Sequence, residues 1–382
     1  MKIVLLFPNF PSIGIQKDGG QIPAWLVKMG HDVTLLTNNC ETNKYFNDFY
    51  GVKVIKKSKF NILSIYFGLF FYIIRNIKNI DCFYMYHLTL NTAILSLIYR
   101  CFSKKSIIMI KLDNPGRTWT PEVPLIFKLY KPIIGELKLI PKIISHTANI
   151  LISESPESAE RLLKQYPYMK SKISIIPDGI NPEILTPKFN IQNIKKHKKI
   201  MMAGQIIPRK GIDLLIKAFS LIKNEFPEWR IEAIGDLLDS DYYKNTQVLI
   251  KKHGLENRVT FTNHLTGDNL LKKYLESEVF CFPSRHESFG IVLLEAMYLG
   301  IPIVSSDAGC AQYILDNGNS GFLFKSENIE DLSSKLRIIL KNDILRNKIA
   351  EVAKLRCEKL FLWETIIKDM HNLLLKQYKT NQ

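Results

Sequence analysis

The feature that most constrains this chain is an alternation that runs to its middle, stops, and starts again. Short apolar runs take turns with longer segments whose apolar positions recur at helical spacing. Residues 2–7 read as a strand. Ile22, Trp25, Leu26 and Met29 then mark a helix, and residues 32–37 the next strand. Further strands are expected at 82–86, 106–111, 150–153 and 173–176. Residues 183–199 are polar, Lys-rich and without periodicity. After them the pattern resumes, with strands expected at 200–203, 230–234, 259–261, 279–282 and 301–304 and helices at 212–223, near 243–253, 270–276 and 291–299. Strand and helix in alternation imply a mainly parallel, doubly wound sheet. At 382 residues, two such α/β domains fit better than one core. The expected division is a Rossmann-like domain at 1–182, a linker at 183–199, a second domain at 200–355 and a terminal helical segment at 356–382. In that last segment Trp363, Ile366, Ile367, Met370 and Leu373 share one helix face, suited to packing back on the first domain.

Charge narrows the partners. The formal net charge is +16, and it is uneven. Residues 1–182 hold 23 Lys and Arg against 12 Asp and Glu, a net of +11; residues 183–382 hold 29 against 24, a net of +5. A basic first half implies an anionic partner, either phosphates or an acidic membrane surface. Nucleic acid is not expected, because no finger, RNP or helix-turn-helix signature is present. The six Cys are scattered without a C-x-x-C, as in a reduced, cytoplasmic protein. The apolar start is too short for a signal peptide. Residues 60–74 carry no charge but fall short of a bilayer span. They read either as a buried helix or as an interfacial one, flanked by Lys53, Lys56, Lys57, Lys59, Arg75 and Lys78.

Within the second half, seven residues separate Glu287 from Glu295. Residues 279–284 read as a buried strand ending in a turn, Ser288-Phe289-Gly290 as a loop, and the helix begins after it. One acid then sits in the loop and the other on the helix, with the free N–H groups of a helix N-terminus between them. Amides suit a diphosphate and carboxylates suit sugar hydroxyls, so the run fits a nucleotide-sugar. Two solvated glutamates are the plain alternative. Gly204-Gln205-Ile206-Ile207-Pro208-Arg209-Lys210-Gly211 lies between an expected strand and helix, where Arg209 and Lys210 could offset phosphate charge. Asp18-Gly19-Gly20 follows the first strand as a turn that admits close approach of a ligand.

Taken together, these motifs resemble those of the GT-B fold glycosyltransferases of family 4, which are retaining and nucleotide-sugar dependent. The resemblance rests on the Gly-Gly loop, Ile176-Pro177-Asp178-Gly179-Ile180, the Gly204…Lys210-Gly211 loop, the run Pro283 to Met297, and Ser306-Asp307-Ala308-Gly309 with Asn317-Gly318 and Gly321-Phe322-Leu323. It implies two Rossmann-like doubly wound domains facing a cleft. It implies that Glu295 holds the ribose hydroxyls, that Glu287 lies near the donor sugar, and that Lys210 meets the diphosphate. It places the amides of Gly290, Ile291 and Val292 around the phosphates, Gly19 and Gly20 near the donor, and His264 and Leu265 near the base. Two departures stand out. The family loop usually begins Gly-Arg, where this chain has Gly204-Gln205 with Arg209 four residues on. Relatives often carry His-Asp where this chain has Lys111-Leu112-Asp113. His87, Lys111 and Asp113 are the acceptor-side candidates, and each is equally readable as a structural strand-end residue.

The implied activity is transfer of a sugar, from UDP more than GDP, to a glycan or lipid-linked acceptor in surface polysaccharide or glycolipid synthesis. No cofactor and no metal is expected. The implied location is cytoplasmic and peripheral, at the inner face of the membrane. A nucleotide-sugar epimerase or a phosphorylase are other GT-B readings, though a phosphorylase needs a much longer chain. A non-catalytic, nucleotide-sugar-binding subunit is the reading from a different class, motivated by Gln205 and the absent His-Asp. A Rossmann dehydrogenase is disfavoured, since no G-x-G-x-x-G follows the first strand.

Overall fold

In the computed structural model, residues 1–7, 9–10, 18–37, 39–40, 52–56, 72, 75–112 and 139–381 are described. Most of the 60–74 run and Asp113 lie outside them. The chain divides into two compact units, Met1–Gly179 with Trp363–Gln382, and Ile180–Leu362.

The first unit is built on seven parallel strands in the order β5-β3-β1-β6-β7-β8-β9. They are β1 Lys2–Leu6, β3 Asp32–Thr37, β5 Lys53–Lys56, β6 Cys82–Tyr86, β7 Ile107–Lys111, β8 Ile150–Ser153 and β9 Ile173–Ile175. A separate two-residue pair joins β2 Asn9–Phe10 to β4 Asn39–Cys40. Among the described residues up to Gly179 its α-helices are α1 Asp18–Lys28, α2 Leu90–Phe102, α3 Leu139–Thr147 and α4 Pro156–Gln165. Strands β6 and β7 are buried along their whole length, which explains why they read as continuous rather than alternating apolar runs. Side-chain caps set two of the helix starts. Thr89 accepts from the Thr92 N–H and Ser155 from the Ser158 N–H.

The second unit repeats the plan with six parallel strands in the order β12-β11-β10-β13-β14-β15. They are β10 His197–Ala203, β11 Arg230–Ile234, β12 Val259–Thr262, β13 Ser277–Phe282, β14 Ile303–Ser306 and β15 Phe322–Phe324. Its helices are α5 Ile212–Ser220, α6 Ser240–Lys252, α7 Gly267–Leu275, α8 Ile291–Tyr298, α9 Ala311–Ile314, α10 Ile329–Lys341 and α11 Asp343–Leu360. Period-two alternation sends Ile200, Met202, Val279 and Cys281 to one face, against Leu215 and Phe219 of α5 and Leu336 of α10. It sends Met201, Ala203, Phe280 and Phe282 to the other, against Leu293, Leu294 and Met297 of α8. Each buried Ile, Val, Leu, Met or Phe among them contributes about 1.5–3 kcal/mol.

The last helix, α12 Trp363–Asn381, belongs to the first unit. Trp363, Ile366, Ile367, Met370 and Leu374 join the core that holds Ile22 and Leu26 of α1, and Leu373 is only partly buried beside it. His31 and His371 meet across this junction, Nε2 to Nδ1, at 2.9 Å.

Three sequence boundaries need correction. Residues 183–199 are not a free linker: the chain passes between units at Gly179–Ile180, and Leu185 and Phe189 pack on the second core. The return crossing is at Leu362–Trp363, so residues 356–362 stay in the second unit, with Cys357 and Phe361 buried there. Asp18-Gly19-Gly20 is not a turn ahead of a helix but the first turn of α1, where Asp18 Oδ1 accepts the Gly19 N–H at 2.8 Å.

Candidate active site

In the second unit the strand order reverses direction between β10 and β13, the switch point at which doubly wound sheets bind ligands beyond the strands' carboxyl ends. The loops leaving those two strands are residues 204–211 and 283–290. They carry Arg209 and Lys210 on one side and Glu287 on the other. A short 3-10 turn, Pro208–Lys210, fixes the first loop. Gly211 ends it at φ 74°, and a Cβ there would lie 2.1 Å from the Pro283 carbonyl oxygen, so only glycine lets the loops touch.

Across that contact Lys210 Nζ binds the Glu287 carboxylate. Arg209 Nη1 lies 3.3 Å from Glu287 Oε1 and donates to the His286 carbonyl at 3.1 Å. The Ser288 N–H donates to Glu287 Oε1 at 3.2 Å. The Lys210 and Glu287 side chains are each 12% exposed. Burial alone would raise the Glu287 carboxyl, but Lys210 and then Arg209 outweigh it and hold Glu287 below the usual carboxylate range. Lys210 Nζ also stands 5.4 Å from the Phe282 ring centroid.

Gly290 caps α8, and the amides of Ile291 and Val292 open that helix with no carbonyl a turn behind them. Glu295 follows on the same helix, about 6 Å along the axis from Ile291 at 1.5 Å per residue. The buried Tyr274 of α7 donates its hydroxyl to Glu295 Oε2 at 2.9 Å. Burial, then the Glu295 charge, raises the Tyr274 hydroxyl well above its ordinary range, so it remains a donor. The loop after β14 braces the same region. Cys310 Sγ donates to the Ser288 carbonyl at 3.1 Å, and a Cβ on Gly309 would lie 2.7 Å from the Glu287 carbonyl oxygen.

The remaining sequence candidates divide by unit. Gly204 lies beside Lys210, where an added Cβ would meet Lys210 Cε at 3.5 Å. Gln205 is exposed. His264 and Leu265 follow β12, with His264 Nδ1 3.1 Å from Asp236 Oδ2. Gly19, Gly20, His87 and Lys111 belong to the first unit. Lys111 is not an open strand-end group. Its Nζ lies 2.7 Å from Asp18 Oδ2, 3.1 Å from Glu154 Oε1 and 2.5 Å from Asp178 Oδ1, with the side chain 2% exposed. It ties the start of α1 to the ends of β7 and β8. His87 is exposed at φ 65° and donates its N–H to the Lys111 carbonyl at 2.8 Å.

Two features were missed in the sequence. The pairing of Arg285 with Asp213 joins residues 72 positions apart, a distance no local pattern encodes. The triplet Asp239-Ser240-Asp241 has the Asp-x-Asp spacing of a metal motif. Here Asp239 Oδ1 caps α6 by accepting the Tyr242 N–H at 2.8 Å, and Asp241 faces Lys244 at 3.7 Å. Among the described residues, no three acidic, His or Cys side chains gather in a metal-holding group.

Residues 186–356 match the family model described as glycosyl transferases group 1. The chain is 25% identical over 273 residues to mannosylfructose-phosphate synthase of Agrobacterium fabrum, covering 68% of this chain and 59% of that protein. It is 26% identical over 264 residues to the capsular polysaccharide biosynthesis glycosyltransferase CapM of Staphylococcus aureus, covering 63% of this chain and 66% of that protein. The chain thus spans less than two thirds of the length of these relatives. Among solved structures, Anabaena HepE in complex with UDP superposes with a TM-score of 0.78 at 18% identity, over 98% of this chain and 100% of that one. That likeness identifies the fold as GT-B.

Proposed function

We propose that this chain is a retaining, family 4 glycosyltransferase that takes a sugar from a nucleoside diphosphate, UDP more than GDP. The observation that carries the reading is the placement of the Lys210–Glu287 pair at the switch point of the second sheet, beside the open amides of α8, inside the segment that matches group 1 glycosyl transferases. Relatives named for hexose transfer and capsule synthesis support an enzyme that moves hexose units. A structural neighbour solved with UDP-glucose supports the donor class. A glycan or lipid-linked acceptor in surface polysaccharide or glycolipid synthesis fits the relative named for capsular polysaccharide biosynthesis.

In this reading the diphosphate lies against the amides of Ile291 and Val292 and between Lys210 and Arg209. Glu295, one turn along α8, reaches the ribose hydroxyls, and Tyr274 holds its second oxygen. Glu287, kept ionised by Lys210, faces the sugar hydroxyls. Gly204 leaves room for the donor beside Lys210. The bond from the anomeric carbon to phosphate oxygen breaks as the acceptor oxygen bonds to the same face, and the acceptor proton passes to the leaving phosphate. The two glutamates therefore position the donor rather than act as a glycosidase acid and base. The cations stabilise the departing diphosphate. No cofactor and no metal take part.

The test is thermal stabilisation by UDP, GDP, ADP and CMP in the wild type and in Glu295→Ala. One nucleotide should raise the melting temperature selectively, and Glu295→Ala should abolish that rise. A rise that survives the substitution would move the ribose elsewhere. No rise from any nucleotide would favour a non-catalytic subunit.

The net +11 of residues 1–182 further supports peripheral attachment to the inner face of an anionic membrane. Among the described residues, no helix is long and apolar enough to cross a membrane. Flotation with anionic liposomes at low salt should carry the protein upward, and a protein left in the pellet fraction would end this part of the proposal.

A further inference from the structure

Arg285 stands two residues before Glu287 and bonds through all three guanidinium nitrogens to the Pro208 loop, the first turn of α5 and Glu327. Its Nη1 donates to the Pro208 carbonyl at 2.6 Å and to Asp213 Oδ1 at 2.9 Å. Its Nη2 donates to Asp213 Oδ2 at 2.8 Å, and its Nε to Glu327 Oε1 at 2.9 Å. The Arg285 backbone N–H adds a bond to the Arg209 carbonyl at 2.8 Å. These contacts bracket Lys210 on both sides, at residues 208 and 209 before it and at 213 after it. The acceptor is itself held. Tyr242 donates its hydroxyl to Asp213 Oδ1 at 2.5 Å and receives the Asp213 N–H at 3.2 Å. Burial would raise the Asp213 carboxyl, but Arg285 and Tyr242 outweigh it and hold the group at about 2. The fork is therefore charged on both sides across the working range of an enzyme. Asp213 and Arg285 are 13% and 21% exposed, so water screens the pair only in part.

We propose that Arg285, gripped by Asp213, is a positioning residue that sets the Lys210 ammonium against Glu287 and so shapes the diphosphate subsite. The inference rests on the glycosyltransferase reading of that subsite. A charged pair that works on a ligand needs its two loops held in a fixed register. A planar, bidentate guanidinium supplies that register, and a lysine at 285 keeps the charge but loses the fork. Tyr242, on α6, becomes part of the same brace although it touches neither loop of the subsite directly.

A double-mutant cycle on UDP and GDP affinity, measured by calorimetry in the full chain, tests this. In the wild-type background Arg285→Lys should weaken the better-bound nucleotide about 10-fold, a loss of the size expected for one tenfold step in affinity. In the Lys210→Ala background the same substitution should cost less than about 3-fold, because Arg285 acts through Lys210. A general loss of folding would instead cost the same in both backgrounds, and that outcome overturns the proposal. So does a wild-type affinity untouched by Arg285→Lys. Asp213→Asn should reproduce the Arg285→Lys pattern from the other side of the fork, which guards against a single poorly folded variant. If Lys210→Ala alone leaves nucleotide affinity unchanged, the diphosphate reading of the subsite fails first, and the positioning role falls with it.

Discussion

Replacing Lys210 with Met should expose how the buried pair is balanced. Lys210 and Glu287 are both mostly buried, and Lys210 is the larger of the two cations that keep Glu287 ionised. Removing one partner of a buried ion pair costs about 3–5 kcal/mol when nothing replaces it. Here Arg209 remains 3.3 Å from the carboxylate and the Ser288 N–H 3.2 Å, although Arg209 is 37% exposed and partly screened. The expected cost is therefore lower, about 2–3 kcal/mol at pH 7. Adding Glu287→Gln removes the stranded charge and should return about 1–2 kcal/mol of that loss. Acid acts in the same direction. In the wild type the depressed Glu287 carboxyl contributes stability above its unfolded value near 4.3, which is lost as pH falls. In Lys210→Met the burial penalty on the charged carboxylate is less fully offset, so protonation should relieve the variant. The gap between the two proteins should narrow from pH 7 to pH 4.5. Amide exchange in Ile212–Ser220 and Ile291–Tyr298 reads the second unit by itself. A cost below about 0.5 kcal/mol, or a double variant less stable than Lys210→Met, would refute the reasoning.

Two other outcomes follow from the same geometry. Burial first, and neighbouring positive charge that includes His371, lower His31 to about 4, against a raising influence from Asp81. The folded value lies below the unfolded one near 6.5, so this contribution is full above pH 6.5 and is lost as pH falls toward 4. Urea midpoints should drop over that window, and the drop should shrink in His31→Gln; an unchanged slope would remove His31 as its source. Gly211→Ala sets a Cβ 2.1 Å from the Pro283 oxygen at φ 74°, which should cost the second unit about 2–3 kcal/mol, or roughly 4–12 °C in Tm. A Tm within a degree of wild type would show that the two loops can part freely.

The two doubly wound sheets were legible because parallel strands buried on both faces write themselves as apolar runs, as β6, β7 and residues 200–203 of β10 do. The loop after β10 and the Glu287–Glu295 run were legible because each sits between a strand and a helix. The boundary at 183–199 was not legible. Lys188, Lys195 and Lys196 face water, but Lys199 already lies in β10 with its Nζ 2.6 Å from Glu232 Oε2, and Leu185 and Phe189, two apolar positions too few to show a period, anchor the backbone to the second core. The start of α1 was hidden because Gly19 and Gly20 oppose helix by propensity. The burial of Lys111 among Asp18, Glu154 and Asp178, like the Arg285–Asp213 fork, depends on which strand ends become neighbours, and strand order is not written in any one segment.

The most direct measurement of the central claim compares UDP with UMP by calorimetry in wild type and Lys210→Ala. If Lys210 and the α8 amides hold a diphosphate, UDP should bind wild type at least about 10-fold more tightly than UMP, and Lys210→Ala should bring the two within about 3-fold. Equal binding of UDP and UMP to the wild type, or a preference for UDP that survives Lys210→Ala intact, would contradict the account.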